Sequence, residues 1–587
     1  MSLRIAQEHT FVTHDDQHLF YRYWPAAAQR CRGAVMLFHR GHEHSARMAH
    51  LVDELDLPEH AFFAWDARGH GHSPGERGAS PGAATSVRDI QTFVEHIRDT
   101  FGIAIEDITV VGQSVGAVLA AAWVHDYAPP IRALVLASPA FKIKLYVPFA
   151  LPALRLMYRL RGRFFVNSYV KPKLLTHDPE RIASYQTDPL IARAIAVNML
   201  LDLHDMAERV VADAAAIKVP TQLLISGADW VVHRRPQEQF FERLSSTRKQ
   251  CIVLDGFHHD TLGELERKAA VAPMRAFVLR EYEAPTALVS LLEADLRGPF
   301  FDEFESLKRP PKLAARAYWG ALRAGLRFSS LLSSGIALGF ERGFDSGSSL
   351  DYVYRNRAEG HSPIGRAIDR NYLDSIGWRG IRQRKVNIEE LIAGAMGRLL
   401  RDGRPVRIVD IAAGHGRYVL DAIGNGARTN ATVEGVLLRD YSKPNVDAGR
   451  ALILERGLDA KVSFEQGDAF DADALAALTP KPTLAIVSGL YELFSDNAQI
   501  RRSLGGLAQA VATGGYVVYT GQPWHPQLEF IARTLNNHRG EAAWIMRRRS
   551  QAELDELVAS AGFRKVSQRI DDWGIFTVCL AQRVTDK

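Results

Sequence analysis

A serine hydroxyl attacks carbon only when a base takes its proton, and the base needs a carboxylate to hold its tautomer. Gly112-Gln113-Ser114-Val115-Gly116 places G-x-S-x-G between the apolar run Ile108–Val111 and an alanine-rich stretch. Such flanking glycines permit a sharp strand-to-helix turn, which lifts the serine to the carboxyl edge of a sheet. In chains built around this turn the acid comes second and the histidine last. Asp229 follows the apolar run Leu223-Leu224-Ile225, and two adjacent histidines, His258 and His259, follow Ile252-Val253-Leu254. We take Ser114 as nucleophile, His259 as base and Asp229 as the acid behind it, a set suited to cleaving an ester.

A second constellation lies far downstream. The apolar run Val406–Val409 ends in Asp410 and passes through Ala412, Gly414 and Gly416 into a helical pattern. A strand, an acid and a loop of small residues make a Rossmann-type nucleotide site, because a backbone without side chains can approach the ligand. Ala412 stands where a first glycine is common, and G-x-G-x-x-G is absent.

These residues need strands to hold them. Buried strands are expected at Ala34–Phe38, Ala61–Trp65, Ile108–Val111, Ala133–Ala137, Gln222–Ile225 and Cys251–Leu254, alternating with helices as in a parallel α/β sheet. The rhythm breaks at about 139–218, an insertion expected to cap the sheet. A second series is expected at Arg407–Asp410, Thr432–Leu437, Val462–Glu465, Thr483–Val487, Gly515–Thr520 and Ile575–Ala581. The expected organisation is therefore α/β throughout: a first domain over 1–285, a linker and helical segment over 286–345, and a second domain over 346–587.

Bulk composition narrows the function. The 587 residues are 47% hydrophobic and 24% charged, enough for two sizeable cores. A net charge of +5 on this length argues against a nucleic-acid partner. The three cysteines, Cys31, Cys251 and Cys579, have no metal-ligand spacing, so no metal is expected, and a reducing, cytoplasmic setting is. The first 24 residues carry no secretory-type apolar run, and no apolar run reaches the roughly 18–20 residues of a membrane span.

The first series resembles the monoacylglycerol lipase and lysophospholipase (serine aminopeptidase-like) branch of the α/β-hydrolases over about residues 10–282. His39 to Arg47 is similar to that branch's H-G-x-x-E-H-S-x-R pattern, Asp66 to Gly75 to its D-x-x-G-H-G-x-S-x-G, and Gly256 with His259 to its G-x-x-H. The resemblance implies a lipid-like ester substrate, and an oxyanion hole formed by the backbone amides of Gly41 and Val115. It also makes His258 a structural neighbour. One departure stands in that loop: Arg40 replaces a glycine, and is expected to narrow the acyl pocket or alter the hole. An alternative, favoured by Arg40, is a hydrolase-like module that only binds or docks.

The second series resembles the class I S-adenosylmethionine-dependent methyltransferases from about Asp345 to Val584, on the D-x-x-x-G-x-G loop. The resemblance implies S-adenosylmethionine as cofactor, with Asp440 holding the ribose hydroxyls and Asp468 the adenine amino group. The unusually long interval between Asp410 and Asp440 is assigned to a loop at 424–430. Loops after the fourth and fifth strands normally line the acceptor side; Tyr491, Glu492, Trp524 and His525 occupy them, with His525 or Glu492 as base and the acceptor itself unnamed.

Two basic surfaces remain. Phe141–Lys173 carries eight Lys or Arg and no Asp or Glu, and Lys312, Arg316, Arg323 and Arg327 share one helical face beside Trp319. Both suit peripheral contact with an anionic membrane; the alternative, commoner in globular proteins, is a solvated basic face packed by its apolar side on its own domain.

Overall fold

The computed structural model describes residues 3–168, 170–285, 289–424, 433–541 and 543–584. The chain divides into two compact units, 1–288 and 289–587.

In the first unit the strands are β1 Gln7–Val12, β2 His18–Trp24, β3 Gly33–Phe38, β4 His60–Trp65, β5 Ile108–Gln113, β6 Ala133–Ala137, β7 Phe165–Asn167, β8 Ala194–Ala196, β9 Thr221–Ser226 and β10 Lys249–Leu254. Eight of them form one sheet in the order β1-β2-β4-β3-β5-β6-β9-β10. From β4 to β10 neighbours run parallel, while β1 and β2 add an antiparallel edge. Every residue of β3, β4, β5, β6 and β9 is buried. A parallel sheet covered on both faces demands such continuous apolar runs. The helix Val115–Tyr127, which follows Ser114, is buried at every position after Val115, so its alanines face protein all round.

The insertion between β6 and β9 contains the helices Ala150–Arg161, Pro179–Thr187 and Val197–Ala212 and the antiparallel pair β7 and β8. It is pinned to the loops at the sheet's carboxyl edge: His44 Nε2 bonds Asp188 at 2.8 Å, and Arg181 Nε donates to Asp260 at 3.0 Å.

The second unit starts with helices, Pro299–Lys308, Leu313–Ser330, Ser334–Arg342, Gly347–Arg355, Pro363–Leu373 and Ile376–Arg401. Its strands are β11 Val406–Asp410, β12 Val433–Asp440, β13 Val462–Gln466, β14 Leu484–Val487, β15 Tyr516–Gly521, β16 Phe563–Ile570 and β17 Thr577–Arg583. They form a sheet ordered β13-β12-β11-β14-β15-β17-β16, parallel except around β17. The order reverses between β11 and β14, and open α/β sheets bind ligands in the crevice at such a switch point.

The segment 286–345, expected as a linker and helical segment, is helical over Pro299–Lys308, Leu313–Ser330 and Ser334–Arg342. Leu307, Ile336 and Phe344 share an apolar cluster with Trp378, Ile531 and Phe576, so these helices belong to the second core. The loop expected to lengthen the Asp410–Asp440 interval falls, beyond Gly424, outside the described residues. Among the described residues no helix is long and apolar enough to cross a membrane.

Candidate functional site

Ser114 sits between β5 and the helix that Val115 opens, with φ at +55° and ψ at −114°. A non-glycine residue is held in this sparsely populated region only when its surroundings over-determine it. Both motif glycines supply that constraint. A Cβ on Gly112 would lie 2.8 Å from Ala117 Cα, and one on Gly116 would lie 2.5 Å from the Phe38 and His39 carbonyl oxygens. The turn is clamped between β3, β5 and its own helix, and the Ser114 N–H donates to Ala137 O at 3.0 Å.

The three expected catalytic residues meet. The Ser114 hydroxyl bonds His259 Nε2 at 2.7 Å, and His259 Nδ1 donates to Asp229 Oδ2 at 2.8 Å. Because an ionised carboxylate only accepts, Asp229 assigns the proton to Nδ1 and leaves Nε2 free to receive one. Asp229 Oδ1 accepts the N–H groups of Val231 and Val232 at 2.7 and 2.9 Å. Although burial works against its charge, the His259 imidazole and these two donors hold the Asp229 carboxyl below its ordinary value.

Gly41 lies against Val115: a Cβ there would be 2.9 Å from Val115 Cγ2. Val115 is the first residue of its helix, where backbone N–H groups have no intrahelical partner. The Gly41 loop is set by His39, whose Nε2 accepts the Ala67 N–H at 3.1 Å while Nδ1 donates to Arg40 O at 2.7 Å. Asp66 ties the neighbouring loops together, accepting the N–H groups of Ser45 and His72 at 2.6 and 2.8 Å.

Arg40 does not float in the pocket. Its guanidinium is buried in a bidentate pair with Glu43, at 2.9 and 2.5 Å, with Asp260 Oδ2 at 3.5 Å. Asp260 in turn accepts from Gln113 at 3.0 Å, next to the nucleophile. The residue expected to disturb the hole is thus part of an ion-pair scaffold beneath it, and it also lines a cavity of only about 40 Å³ with Gly41 and Val115. A larger cavity of about 310 Å³ begins at Val115 and Val118 and runs under the insertion past Leu145, Phe149 and Leu203. His258, the other candidate base, lies tilted against His177 with ring centroids 3.9 Å apart, and is not part of Ser114's hydrogen-bond chain.

In the second unit, Ala412, Gly414, Gly416, Asp440 and Asp468 line one cavity of about 890 Å³ at the switch point. Gly414 and Gly416 have φ of +59° and +74°. The Gly414 N–H donates to Asp440 Oδ2 at 2.8 Å, and Asp440 Oδ1 accepts from Ser442 N–H and Asn445 Nδ2 at 2.9 and 3.0 Å. Three lone pairs of the Asp440 carboxylate are therefore used in shaping the loop, leaving capacity for one further donor. Asp468 is exposed at the rim, its Oδ1 accepting the Phe470 N–H at 2.8 Å.

Asp410 departs from its expected role. It is fully buried below the loop and does not line the cavity; it accepts from the Tyr418 hydroxyl at 2.6 Å and the Ala412 N–H at 3.1 Å. Burial pushes its carboxyl up to about 7. It supports the loop that would touch a ligand. A positive-φ glycine loop, an acid with spare capacity and a cavity in the ordinary range of ligand pockets fit an adenosyl cofactor.

An apolar cavity of about 290 Å³ adjoins this one, sharing Asp345, Leu350, Arg384, Gly489 and Leu493 with it. Of the four acceptor-side candidates only Glu492 and His525 line it. Tyr491 turns into the core, where its hydroxyl donates to Ser503 at 3.0 Å, and Trp524 packs under the Arg548 guanidinium at 5.2 Å. Sequence reasoning missed Arg384, Tyr418 and Asn445. Arg384 had a signal: it falls on the buried stripe of its helix between Ile381 and Ile388, where a charge needs a purpose.

Known proteins share both halves. Residues 274–583 match the family described as "Putative methyltransferase", and residues 29–266 match "Serine aminopeptidase, S33". The uncharacterized protein YnbC of Escherichia coli is 55% identical over 99% of both chains. The monoacylglycerol lipase of Mycolicibacterium smegmatis is 25% identical over 46% of this chain and 96% of its own. The crystal structure of Paleococcus ferrophilus monoacylglycerol lipase, 23% identical, covers 47% of this chain and 99% of its own with a TM-score of 0.40. The chain belongs to this putative methyltransferase family and carries, ahead of that domain, an α/β-hydrolase domain that matches the serine aminopeptidase S33 family.

Proposed function

We propose that the chain is a bifunctional enzyme, in which the first unit hydrolyses a lipid-like ester and the second transfers a methyl group from S-adenosylmethionine. The observation that carries the first half is the unbroken chain from Ser114 through His259 to Asp229, at 2.7 and 2.8 Å. His259 takes the serine proton as Oγ attacks the acyl carbon. The amides of Gly41 and Val115 donate to the carbonyl oxygen as it gains charge. His259 then gives the proton to the leaving alcohol, and water repeats the sequence to free the acid. Asp229 stays ionised throughout and stabilises the imidazolium. The cavity at Val115 suits an acyl chain, in keeping with similarity to a monoacylglycerol lipase and a phospholipase.

In the second unit, S-adenosylmethionine would supply an electrophilic methyl group. The backbone at Gly414 and Gly416 would admit it, Asp440 would accept from its ribose and Asp468 from its adenine amino group. The acceptor would enter the adjoining apolar cavity.

Peripheral contact with anionic lipid belongs to the same reading. The insertion helix Ala150–Arg161 has no buried residue and exposes Leu156 and Leu160 among its arginines; the helix Leu313–Ser330 also has none. A cytoplasmic location accords with three free cysteines.

A fluorophosphonate probe tests the first half: the protein should label, and Ser114→Ala should neither label nor hydrolyse short-chain esters. Labelling at another serine in that variant, with hydrolysis intact, would sink the assignment. Calorimetry with S-adenosylhomocysteine tests the second half, where binding of NAD instead would make it a dinucleotide site.

A further inference from the structure

The cavity beside the proposed cofactor cleft is apolar but for a few groups. Two of them, Glu492 and His525, are both more than nine-tenths buried. Glu492 Oε1 accepts the Thr520 hydroxyl at 2.7 Å and lies 3.6 Å from Arg384 Nη1. Oε2 is buried and has no hydrogen-bond partner among the described residues. A buried carboxylate oxygen without a donor is costly, and such an exception marks a place that something else completes.

His525 presents the opposite polarity. Its Nδ1 accepts the Gln527 N–H at 3.0 Å, so that nitrogen carries a lone pair and the neutral ring bears its proton on Nε2. Burial and the nearby Arg548 guanidinium keep the ring neutral. Nε2 lies beside Gly377, itself in the cavity wall. A nitrogen that already bears a proton donates; it cannot serve as the base.

The unpartnered acceptor Glu492 Oε2 shares this largely apolar chamber with donors, His525 Nε2–H and, unpartnered among the described residues, Arg384 Nε and Trp544 Nε1, and an acceptor set among donors complements a hydroxyl. Arg384 in the same wall already faces Glu492 at 3.6 Å, and neither a carboxylate nor an ether brings a donor, so either would leave Oε2 unpartnered. Resting on the methyltransferase reading above, we propose that this cavity takes an uncharged, largely apolar alcohol or phenol, with Glu492 receiving its proton and His525 Nε2–H orienting its oxygen. The volume of about 290 Å³, at the small end of ligand pockets, suits a molecule of ring size. In the transfer the hydroxyl oxygen forms a bond to the methyl carbon as the carbon–sulfur bond breaks. The pair of that bond stays on sulfur, and the hydroxyl proton passes to Glu492 Oε2.

The full chain, without any methyl donor, is titrated with 1-naphthol, 1-methoxynaphthalene and 1-naphthoate, reading tryptophan fluorescence from Trp378 and Trp544 in the cavity wall. S-adenosylhomocysteine is titrated in parallel. Naphthol should bind about tenfold or more tightly than its methyl ether or naphthoate. Glu492→Gln should reverse this. Thr520 accepts the Gly489 N–H and directs its own hydroxyl hydrogen at Oε1, so the new amide must turn its NH₂ to the Oε2 position. The acceptor becomes a donor, naphthoate gains about tenfold or more, and the preference for naphthol over its ether is lost. S-adenosylhomocysteine binding should be unchanged in that variant, since Glu492 does not line the cofactor cavity, and this also reports that the variant folds. Wild-type protein that binds S-adenosylhomocysteine yet prefers the ether or the carboxylate overturns this inference alone. A variant that keeps the naphthol preference does the same. Failure of S-adenosylhomocysteine to bind removes the methyltransferase reading, and the role of Glu492 as base with it.

Discussion

The two candidate sites store their chemistry in different parts of the chain. In the hydrolase unit it resides in side chains: Ser114, His259 and Asp229 are buried and joined in series, and the scaffold below them is a second series of paired charges. In the methyltransferase unit it resides in backbone shape. Two positive-φ glycines open a cavity of about 890 Å³, and of the acids assigned to a cofactor there Asp440 bonds the loop and Asp468 stands exposed at the rim. A serial arrangement fails when one link is removed, whereas a shaped cavity loses affinity in increments. Substitutions in the two units should therefore differ in steepness.

The steepest effect is expected at Asp229. Asn keeps the size of the side chain and can still accept from Val231 or Val232, but its amide can present NH₂ toward His259 Nδ1 and so put the imidazole proton on the nitrogen that must receive one. Asp229→Asn should lower kcat for ester hydrolysis by roughly 10⁴-fold with a folded protein and unchanged S-adenosylhomocysteine binding. A loss of tenfold or less, measured on a short-chain ester, would show that the series is not one unit.

A smaller effect, on stability rather than chemistry, is expected at Arg40, where the sequence departs from the H-G-x-x-E-H-S-x-R pattern. Arg40→Ala leaves Glu43 with Arg47 alone, at 3.1 Å, and removes one of the charges facing Asp260. Breaking a buried pair from one side should cost about 3 kcal/mol, the low end of the usual range because Arg47 remains, read as a lowered denaturant midpoint. The pH dependence gives the sign. Burial opposes the charge of Glu43, but Arg40 prevails and holds its carboxyl below the ordinary value. A depressed folded value contributes stability that is present above the unfolded value of about 4.3 and lost as pH falls through the folded one. The gap between wild type and variant should hence narrow as pH drops below about 4. A gap that widened on acidification would remove Glu43 from the account.

How much of this was legible follows from where each interaction lies along the chain. The strands β5, β6 and β9 are buried on both faces, so they read as apolar runs; β1, exposed at all but one position, and β16, half exposed, gave no such signal. The nucleophile turn was visible because its requirements are local, with Gly112 and Gly116 beside Ser114. That the helices within 286–345 pack into the second core was harder to read, because part of their apolar contact is with residues some two hundred positions later, as Leu307 and Phe344 share a cluster with Ile531 and Phe576. Asp410 was placed correctly at a strand end, but its burial under Tyr418 could not be read from spacing. Tyr491 and Glu492 show the limit of loop assignment: the loop after β14 does face the cavity, yet only one of two adjacent side chains does, and the other ends on Ser503 in the core.

The gentlest and most informative contrast lies within the glycine loop. At Gly416 a Cβ would sit 2.5 Å from Leu438 Cδ1, and φ is +74°. At Gly414 the nearest atom to such a Cβ is Gly347 Cα at 3.5 Å, an ordinary contact, with φ of +59°. Gly416→Val thus adds a clash with a β12 side chain to the backbone strain of a β-branched residue in left-handed conformation, for a combined cost of about 1–3 kcal/mol. Gly414→Ala meets only the backbone term, about 1 kcal/mol. Because the clash lies with the end of a leucine that can rotate, the loop should shift rather than unfold. S-adenosylhomocysteine affinity should then fall about 10- to 100-fold for Gly416→Val and about fivefold for Gly414→Ala, with ester hydrolysis intact in both. Equal losses would mean that φ alone governs the loop, and an all-or-none loss at Gly414 would mean that this cavity, like the hydrolase triad, depends on a single exact link.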